Sequence, residues 1–457
     1  MAKKPEVKAI TATSVDVLNA IRNSASNNYR DYVPYATPDA ESIKGIGNII
    51  MQYPALQNEF LSALVNRIGL VIITSRMYSN PWTMFKKGIM ELGDSVEEIF
   101  VNIAKPFQYD PAVAEDTVFK RQIPDVRAAF HIRNYQKYYK ATVSQDQLRT
   151  AFLSWDGITD LIARIVDSMY TGANYDEFIT MKYLLARHIL DGHLYPVQIG
   201  AATAENAKSI VSTVKQTSNN LEFLSADYNI AGVMNTSTKE RQYIIVNAAF
   251  DAIMDVEVLA AAFNMSKAEF MGHRVLVDGF GKLDTARLQE LFDGDPNYVE
   301  IGEDDLTALN AVPAVLVDRD FFMIFDNFQN FTEQYNGEGL YWNYWYHVWK
   351  TFSVSPFAPA MVFAPTAPGI TSVSVSPGAA TIAKGGQLQL TANVVTTGFA
   401  PMSVTWSISG NTSNKSKISS TGMLTVGDDE TANITVKATS TYDHEKSGTA
   451  TITVPQA

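Results

Sequence analysis

No cysteine occurs among the 457 residues, which excludes disulfides, thiolate metal centres, iron–sulfur clusters and cysteine nucleophiles. No run of about 18 apolar residues is present, so no membrane-spanning helix is expected. Behind Lys3, Lys4 and Lys8 the chain turns to Ser, Thr, Asp and Asn instead of an apolar stretch. No secretory signal is therefore expected, and the protein reads as soluble and made inside the cell. Catalytic signatures are missing as well. No two glycines lie four apart, which removes the Gly-x-Ser-x-Gly nucleophile elbow. Gly88 and Gly93 have phosphate-loop spacing, but Asp94 stands where Lys is needed, and Gly422 and Gly427 fail likewise at Asp428. Of six histidines only His188 and His193 are close, and Gly192 is expected to end their helix, so they do not share the face that a two-histidine metal site needs. Asp293-Gly294-Asp295-Pro296-Asn297 starts like a calcium loop, but Tyr298 replaces the turn glycine and Asp304 the closing glutamate. That leaves an acidic surface loop. No enzymatic activity, cofactor or metal is expected.

What is present is 46% apolar and 18% charged, the balance of a globular chain with material for roughly two to four domains. The 36 Lys and Arg against 48 Asp and Glu leave a formal charge of −12, which argues against a general nucleic-acid coat. Composition breaks at Pro365-Thr366-Ala367-Pro368-Gly369. Beyond it, the last 89 residues hold 28 Ser or Thr, three aromatics and no net charge, whereas residues 1–368 hold the other 47 aromatics and all of the charge. Such a break at Pro/Gly punctuation marks a domain boundary.

The C-terminal part alternates with period two. Val373 and Val375, Leu388 and Leu390, Val404, Trp406 and Ile408, Ile434, Val436 and Ala438, and Ala450, Ile452 and Val454 form runs separated by Gly, Pro, Asn and Asp turns. That pattern predicts a β-sandwich, with Val404, Trp406, Ile434 and Val436 in its core. The order Val373-x-Val375-x-Pro377, Lys384-Gly385, Leu390-Thr391-Ala392, Val404-Thr405-Trp406-Ser407, Gly422-x-Leu424 and Ile434-Thr435-Val436-Lys437-Ala438 resembles a bacterial immunoglobulin-like group 2 domain over about 370–454. Such modules occur in adhesins, phage tail proteins and phage capsids.

The larger part reads as α+β. Ser14 with Val15, Leu18, Ile21 and Arg22 predicts a short helix over 14–24. Leu56, Phe60, Leu64 and Ile68 continue as an amphipathic helix into a β-rich run at 70–73, and charged hairpin-like stretches fill 74–142. Ser144 with Gln147 has the capping-box pattern. Ile158, Leu161, Ile162, Ile165, Val166, Met169 and Tyr170 follow at helical spacing, then Phe178, Met181, Leu185 and Ile189, so one long helical rod is expected. Strands are expected at 241–246, 274–277, 314–318 and 321–325, and a helix at 256–263. Residues 321–363 hold 15 aromatics. Tyr341 to Trp349 among them fit helical and strand spacing alike, and the Val, Thr and Pro that follow favour a long strand. Lys120, Arg121, Arg127, Arg133, Lys137 and Lys140 lie against one acid with Tyr135, Tyr138 and Tyr139 interleaved. Alone that suggests a nucleic-acid stacking platform. Glu91, Asp94, Glu97 and Glu98 offer the preferred alternative, pairing between neighbouring subunits.

With no site for chemistry, an assembly protein is favoured, and several segments carry a resemblance. Asp16-Val17-Leu18-Asn19-Ala20-Ile21-Arg22-Asn23-Ser24, Asn66-Arg67-Ile68-Gly69-Leu70-Val71-Ile72, Phe85-Lys86-Lys87-Gly88, Ala151-Phe152-Leu153-Ser154-Trp155, Leu316-Val317-Asp318-Arg319-Asp320, Gly339-Leu340-Tyr341-Trp342-Asn343-Tyr344 and Tyr346-His347-Val348-Trp349 resemble, in order, the major capsid proteins of phi29-like short-tailed phages. The resemblance implies an HK97-like capsid domain over 1–365. Within it, an N-terminal arm, an extended loop at about 75–125, a peripheral domain with a spine helix at about 144–190 and an axial domain at about 200–310 are expected, with an immunoglobulin-like domain at 370–457. It further implies hexamers and pentamers closing an icosahedral or prolate head shell around double-stranded DNA held without sequence-specific binding. A scaffolding protein and a portal are implied partners, and the virion is the implied location. The expected contact residues between subunits are Phe85, Lys86, Lys87, Glu91, Asp94, Glu97, Glu98, Arg127, Arg133 and Lys137. The alternative is a surface or adhesion protein that uses the immunoglobulin-like domain.

Overall fold

The computed structural model describes residues 14–71, 78–90, 95–107, 121–144, 157–254 and 273–455. Glu91, Asp94, Gln147 and the expected helix at 256–263 lie outside these residues. The chain forms two compact units. One comprises residues 1–94, 132–178 and 324–351, and the other comprises 95–131, 179–323 and 352–457.

The first unit begins with helices α1 (Ser14–Ser24), α2 (Asn27–Tyr32), α3 (Ala40–Gln52) and α4 (Pro54–Val71). Val17, Leu18 and Ile21 on α1, and Ile43, Ile46 and Ile50 on α3, recur every three or four residues and are all buried. Each such side chain contributes about 1.5–3 kcal/mol by leaving water. The Ser26 hydroxyl caps α2 by accepting the Tyr29 N–H at 3.2 Å. α3 stops at Tyr53 because Pro54 follows, and Pro54 opens α4, where a missing N–H costs nothing. α4 runs through Val71, so the β-rich run expected from residue 70 starts as helix.

These helices cover one face of a four-stranded sheet. Its strands are β1 (Lys86–Ile89), β4 (Tyr135–Ser144), β9 (Phe322–Asn336) and β10 (Tyr341–Val354), in the order β1-β9-β10-β4. β10 alternates strictly over its first ten residues: Trp342, Tyr344, Tyr346 and Val348 are buried with α1, α3 and α4, while the odd-numbered residues between them are half-exposed. β4 pairs antiparallel with β10, from Tyr341 opposite Ser144 to Lys350 opposite Tyr135. Ser144 thus closes a strand, and Gln147, its expected capping-box partner, lies outside the described residues. The long rod is a single helix, α5 (Gly157–Leu190). It ends in a Schellman turn: His193 N–H bonds the His188 carbonyl at 2.9 Å, Gly192 N–H bonds that of Ile189 at 3.1 Å, and Gly192 takes φ +66°.

In the second unit β2 (Val96–Val101) and β3 (Val126–His131) form an antiparallel hairpin, Val96 opposite His131. A five-stranded sheet holds β5 (Tyr195–Gln198), β6 (Gln242–Asn247), β7 (His273–Val277), β8 (Ala314–Asp318) and β11 (Ala360–Ala364), ordered β5-β11-β8-β6-β7. β8 and β11 are buried at every position, as apolar runs covered on both faces must be. Helix α6 (Ala207–Asn220) lays Ile210, Val211 and Val214 on this sheet. Asp318 ends β8 at 2% exposure. It accepts hydrogen bonds from Ser237 Oγ (2.6 Å) and Arg241 Nη2 (2.9 Å), which accounts for the acid inside the Leu316-Val317-Asp318 run.

Beyond residue 368 only strands follow: β12 (Gly369–Ser376), β13 (Ala379–Thr381), β14 (Gln387–Gln389), β15 (Thr391–Thr397), β16 (Val404–Ser409), β17 (Lys417–Ile418), β18 (Met423–Thr425), β19 (Ile434–Ser440) and β20 (Ser447–Thr453). They pair as β12-β15, β13-β20-β19-β16 and β14-β18-β17. Ile434 and Val436 are fully buried in their shared core. Val404 and Trp406, expected beside them, are only half-buried. Trp406 lies over Gly422, where an added Cβ would stand 3.0 Å from its ring. The indole thus roofs the core from a strand that has neighbours on one side only.

Candidate assembly surfaces

The expected contact residues separate into inward and outward sets. Phe85 is buried and packs edge-on to Trp82. Lys86 Nζ pairs with Glu177 Oε2 (3.1 Å) and Asp326 Oδ2 (2.7 Å). Lys350 Nζ joins the same carboxylates, 3.1 Å from Asp326 Oδ1 and in contact with Glu177. Asn80 Nδ2 donates to Glu177 Oε1 at 2.6 Å. Two cations and two anions from β1, β9, β10 and α5 thus neutralise one another in the interior. Burial, and then the neighbouring Lys86, holds the Lys350 ammonium well below its ordinary value. Phe85 and Lys86 are therefore interior groups of the subunit. Lys137 also lies on the core-facing side of β4, in step with Tyr135, Tyr139 and Val143, and is half-buried. The apolar residues at odd positions carried that signal, because strand side chains alternate.

The hairpin β2–β3 has two unlike faces. On one, Phe100 stacks on Phe357 with centroids 5.5 Å apart. Glu98 accepts from Ser355 Oγ at 2.8 Å and meets His131 Nε2 at 3.2 Å, while His131 Nδ1 lies 2.8 Å from Ser353 Oγ. Arg127 donates to the Ala231 carbonyl and pairs with Asp125. Glu98 and Arg127 are thus engaged within their own chain. The opposite face carries Glu97, Ile99 and Val101 across from Phe130, Ala128 and Val126. There Ile99 is 58% exposed, Val101 59% and Phe130 64%. Apolar side chains open to water on a two-stranded ribbon make a contiguous patch of the kind that interaction sites are built on.

The sheet β1-β9-β10-β4 presents a second surface opposite its buried face. Gln136, Tyr138, Lys140 and Thr142 of β4 lie beside the half-exposed Tyr341, Asn343, Trp345, His347 and Trp349 of β10. Arg133 sits 4.9 Å over the Trp349 ring and Lys140 5.7 Å over that of Trp345. Lys87 is half-buried on β1.

No group of metal-binding side chains occurs among the described residues. His188 and His193 do meet, Nδ1 to Nδ1 at 2.7 Å, because the Schellman turn folds one back on the other. Burial, followed by His193 and Arg187, pushes His188 down to about 3. No helix among the described residues is long and apolar enough to cross a membrane.

The family described as phi29-like phage major capsid protein matches residues 18–364. The chain belongs to that family. The capsid subunit is 38% identical over 435 residues to the major capsid protein of Bacillus phage B103, covering 93% of this chain and 90% of that one. It is likewise 38% identical to that of Bacillus phage PZA, over 431 residues and the same shares of both chains. The capsid structure of Staphylococcus phage Andhra shares the fold at 16% identity with a TM-score of 0.50, over 64% of this subunit and 85% of that chain. The subunit is therefore a self-associating structural protein of the virion head shell, and the surface-adhesion alternative finds no support in its relatives.

Proposed function

We propose that copies of this subunit, built on an HK97-like fold over residues 1–365, associate into hexamers and pentamers that close an icosahedral or prolate shell around double-stranded DNA. The apolar outer face of the hairpin carries this reading: Ile99, Val101, Val126 and Phe130 are open to water on an element whose other face is already anchored to its own chain. One subunit offers this face to the next. Each contact is modest, and repetition over the shell supplies the stability. The 75–125 loop, the 144–190 spine and the 200–310 axial region keep their proposed roles, with the loop's second strand running on to His131 in its pairing with β2. A scaffolding protein and a portal remain the proposed assembly partners. Residues 370–457 are read as an immunoglobulin-like group 2 module, on the strength of period-two burial in β19 and β20 and the shared core of β12 to β20. It decorates the shell or bridges capsomers.

The test is a Val101→Asp/Phe130→Asp variant. Both sites are solvent-exposed, so the subunit is expected to keep its circular dichroism and thermal transition yet form no closed shells in electron micrographs. Normal shells from this variant would remove the hairpin from the assembly mechanism.

A further inference from the structure

The outward face of the sheet β1-β9-β10-β4 differs from the rest of an acidic chain. Along β4, β9 and β10 its outward positions are aromatic residues, Gln, Asn, Thr, His347 and Lys140, with no carboxylate among them. Arg133 and Lys140 stand over the rings of Trp349 and Trp345. A ring attracts a cation without neutralising it, so each positive charge is held at a defined place and stays available to an anion. Of the acids that the sequence set against these cations, Glu98 is bound to His131 and Ser355, Glu97 lies on the hairpin β2–β3 opposite Phe130, and Glu91 and Asp94 are outside the described residues. Neither Arg133 nor Lys140 forms an ion pair among the described residues.

We infer that this face contacts the sugar–phosphate backbone of the enclosed double-stranded DNA, without regard to sequence; the inference rests on the reading of the chain as a DNA-enclosing shell subunit. The backbone is favoured over unpaired bases because the two indole faces already carry cations, leaving no open ring pair for a base to enter. The Tyr138 hydroxyl and Gln136 amide supply neutral donors of the kind that bind phosphate oxygens. Two fixed cations make each contact weak, with a binding constant falling as roughly the second power of salt, at about 0.9 per neutralised phosphate. Weak contacts multiplied over a shell hold the genome off the acidic remainder of the wall and still let it slide.

The experiment is acetylation of lysines by an amine-reactive ester, read at Lys140 by mass spectrometry in unassembled subunits, DNA-filled heads and emptied heads. Lys140 is expected to react in subunits and emptied heads and to be several-fold protected in filled heads. Equal labelling of filled and emptied heads would overturn the inference. Protection in both kinds of head would overturn it too, by showing that a second copy covers the face. An Arg133→Gln/Lys140→Gln variant is expected to form normal shells and to bind a short duplex more weakly than the wild-type subunit, with the salt dependence lost; failure to assemble would again assign the face to a subunit contact. If wild-type subunits form no shells, the shell reading fails separately, and salt-dependent duplex binding by the subunit then decides this one.

Discussion

The buried cluster of Lys86, Lys350, Glu177 and Asp326 gives a quantitative test of what holds the first unit together. Its four members come from three strands and one helix, and Lys350 and Glu177 are almost wholly out of water. Lys350→Met fills the same space but leaves two carboxylates facing Lys86 alone. Breaking a buried ion pair on one side costs about 3–5 kcal/mol, because the remaining charge is neither solvated nor matched. Lys350→Met/Glu177→Leu instead removes one charge of each sign and leaves Lys86 paired with Asp326. Its cost is then the hydrogen bond from the Asn80 amide to Glu177, worth about 1–3 kcal/mol. The double variant is therefore expected to be more stable than the single one. Urea unfolding of unassembled subunits, followed by tryptophan fluorescence, measures this, with Trp82 reporting from its place against Phe85 and Phe178. A Lys350→Met cost below about 1 kcal/mol, or a double variant less stable than the single, would refute the charge-balance reasoning.

Two further outcomes are expected from the second unit. Burial alone would raise the Glu430 carboxyl, but hydrogen bonds from Ser416, Thr412 and the backbone N–H groups of Thr412 and Ala432 outweigh it and hold the group well below its ordinary 4.5. Its folded value is depressed, so its stabilisation is complete above 4.5 and is lost as pH falls further; thermal melts of wild type and Glu430→Gln are expected to differ at pH 7 and to converge as the pH is lowered below 4.5. Gly192→Ala would put a Cβ 2.4 Å from the Ala400 carbonyl at φ +66°. The left-handed backbone alone costs about 1–2 kcal/mol, and limited proteolysis is expected to cut the variant faster between β15 and β16 than the wild type.

Much of the local structure was legible in the residues themselves. The helical spacing of Ile158 to Tyr170 and of Phe178 to Ile189 pointed to two successive helices in one rod, which the structure joins as a single helix, and Gly192 marked its end because glycine enters the left-handed turn without strain. The alternation of Tyr341 to Trp349 is compatible with two periods on its own, and the cross-strand pairing with Tyr135 to Ser144 selects one of them. Lys137 and Lys140 look equivalent in a basic stretch, yet three residues on a strand reverse the side, so one faces the core and the other water. That parity was readable from Tyr135 and Val143. The destination of Lys86 was not.

The sequence by itself determined the family, the type of most elements and the change of character past residue 365, because these follow from residue order, local periodicity and composition. Only the tertiary structure decided which charges are spent inside the subunit. Lys86, Glu177, Asp326 and Lys350 are far apart along the chain and meet where β1, β9, β10 and α5 converge. Glu98 is likewise withdrawn by His131 and Ser355. The physical reason is that pairing depends on distance in space and on burial, and neither is a property of a local stretch of chain. Once those pairs are made, the described residues still expose an apolar hairpin face and a cationic aromatic sheet face.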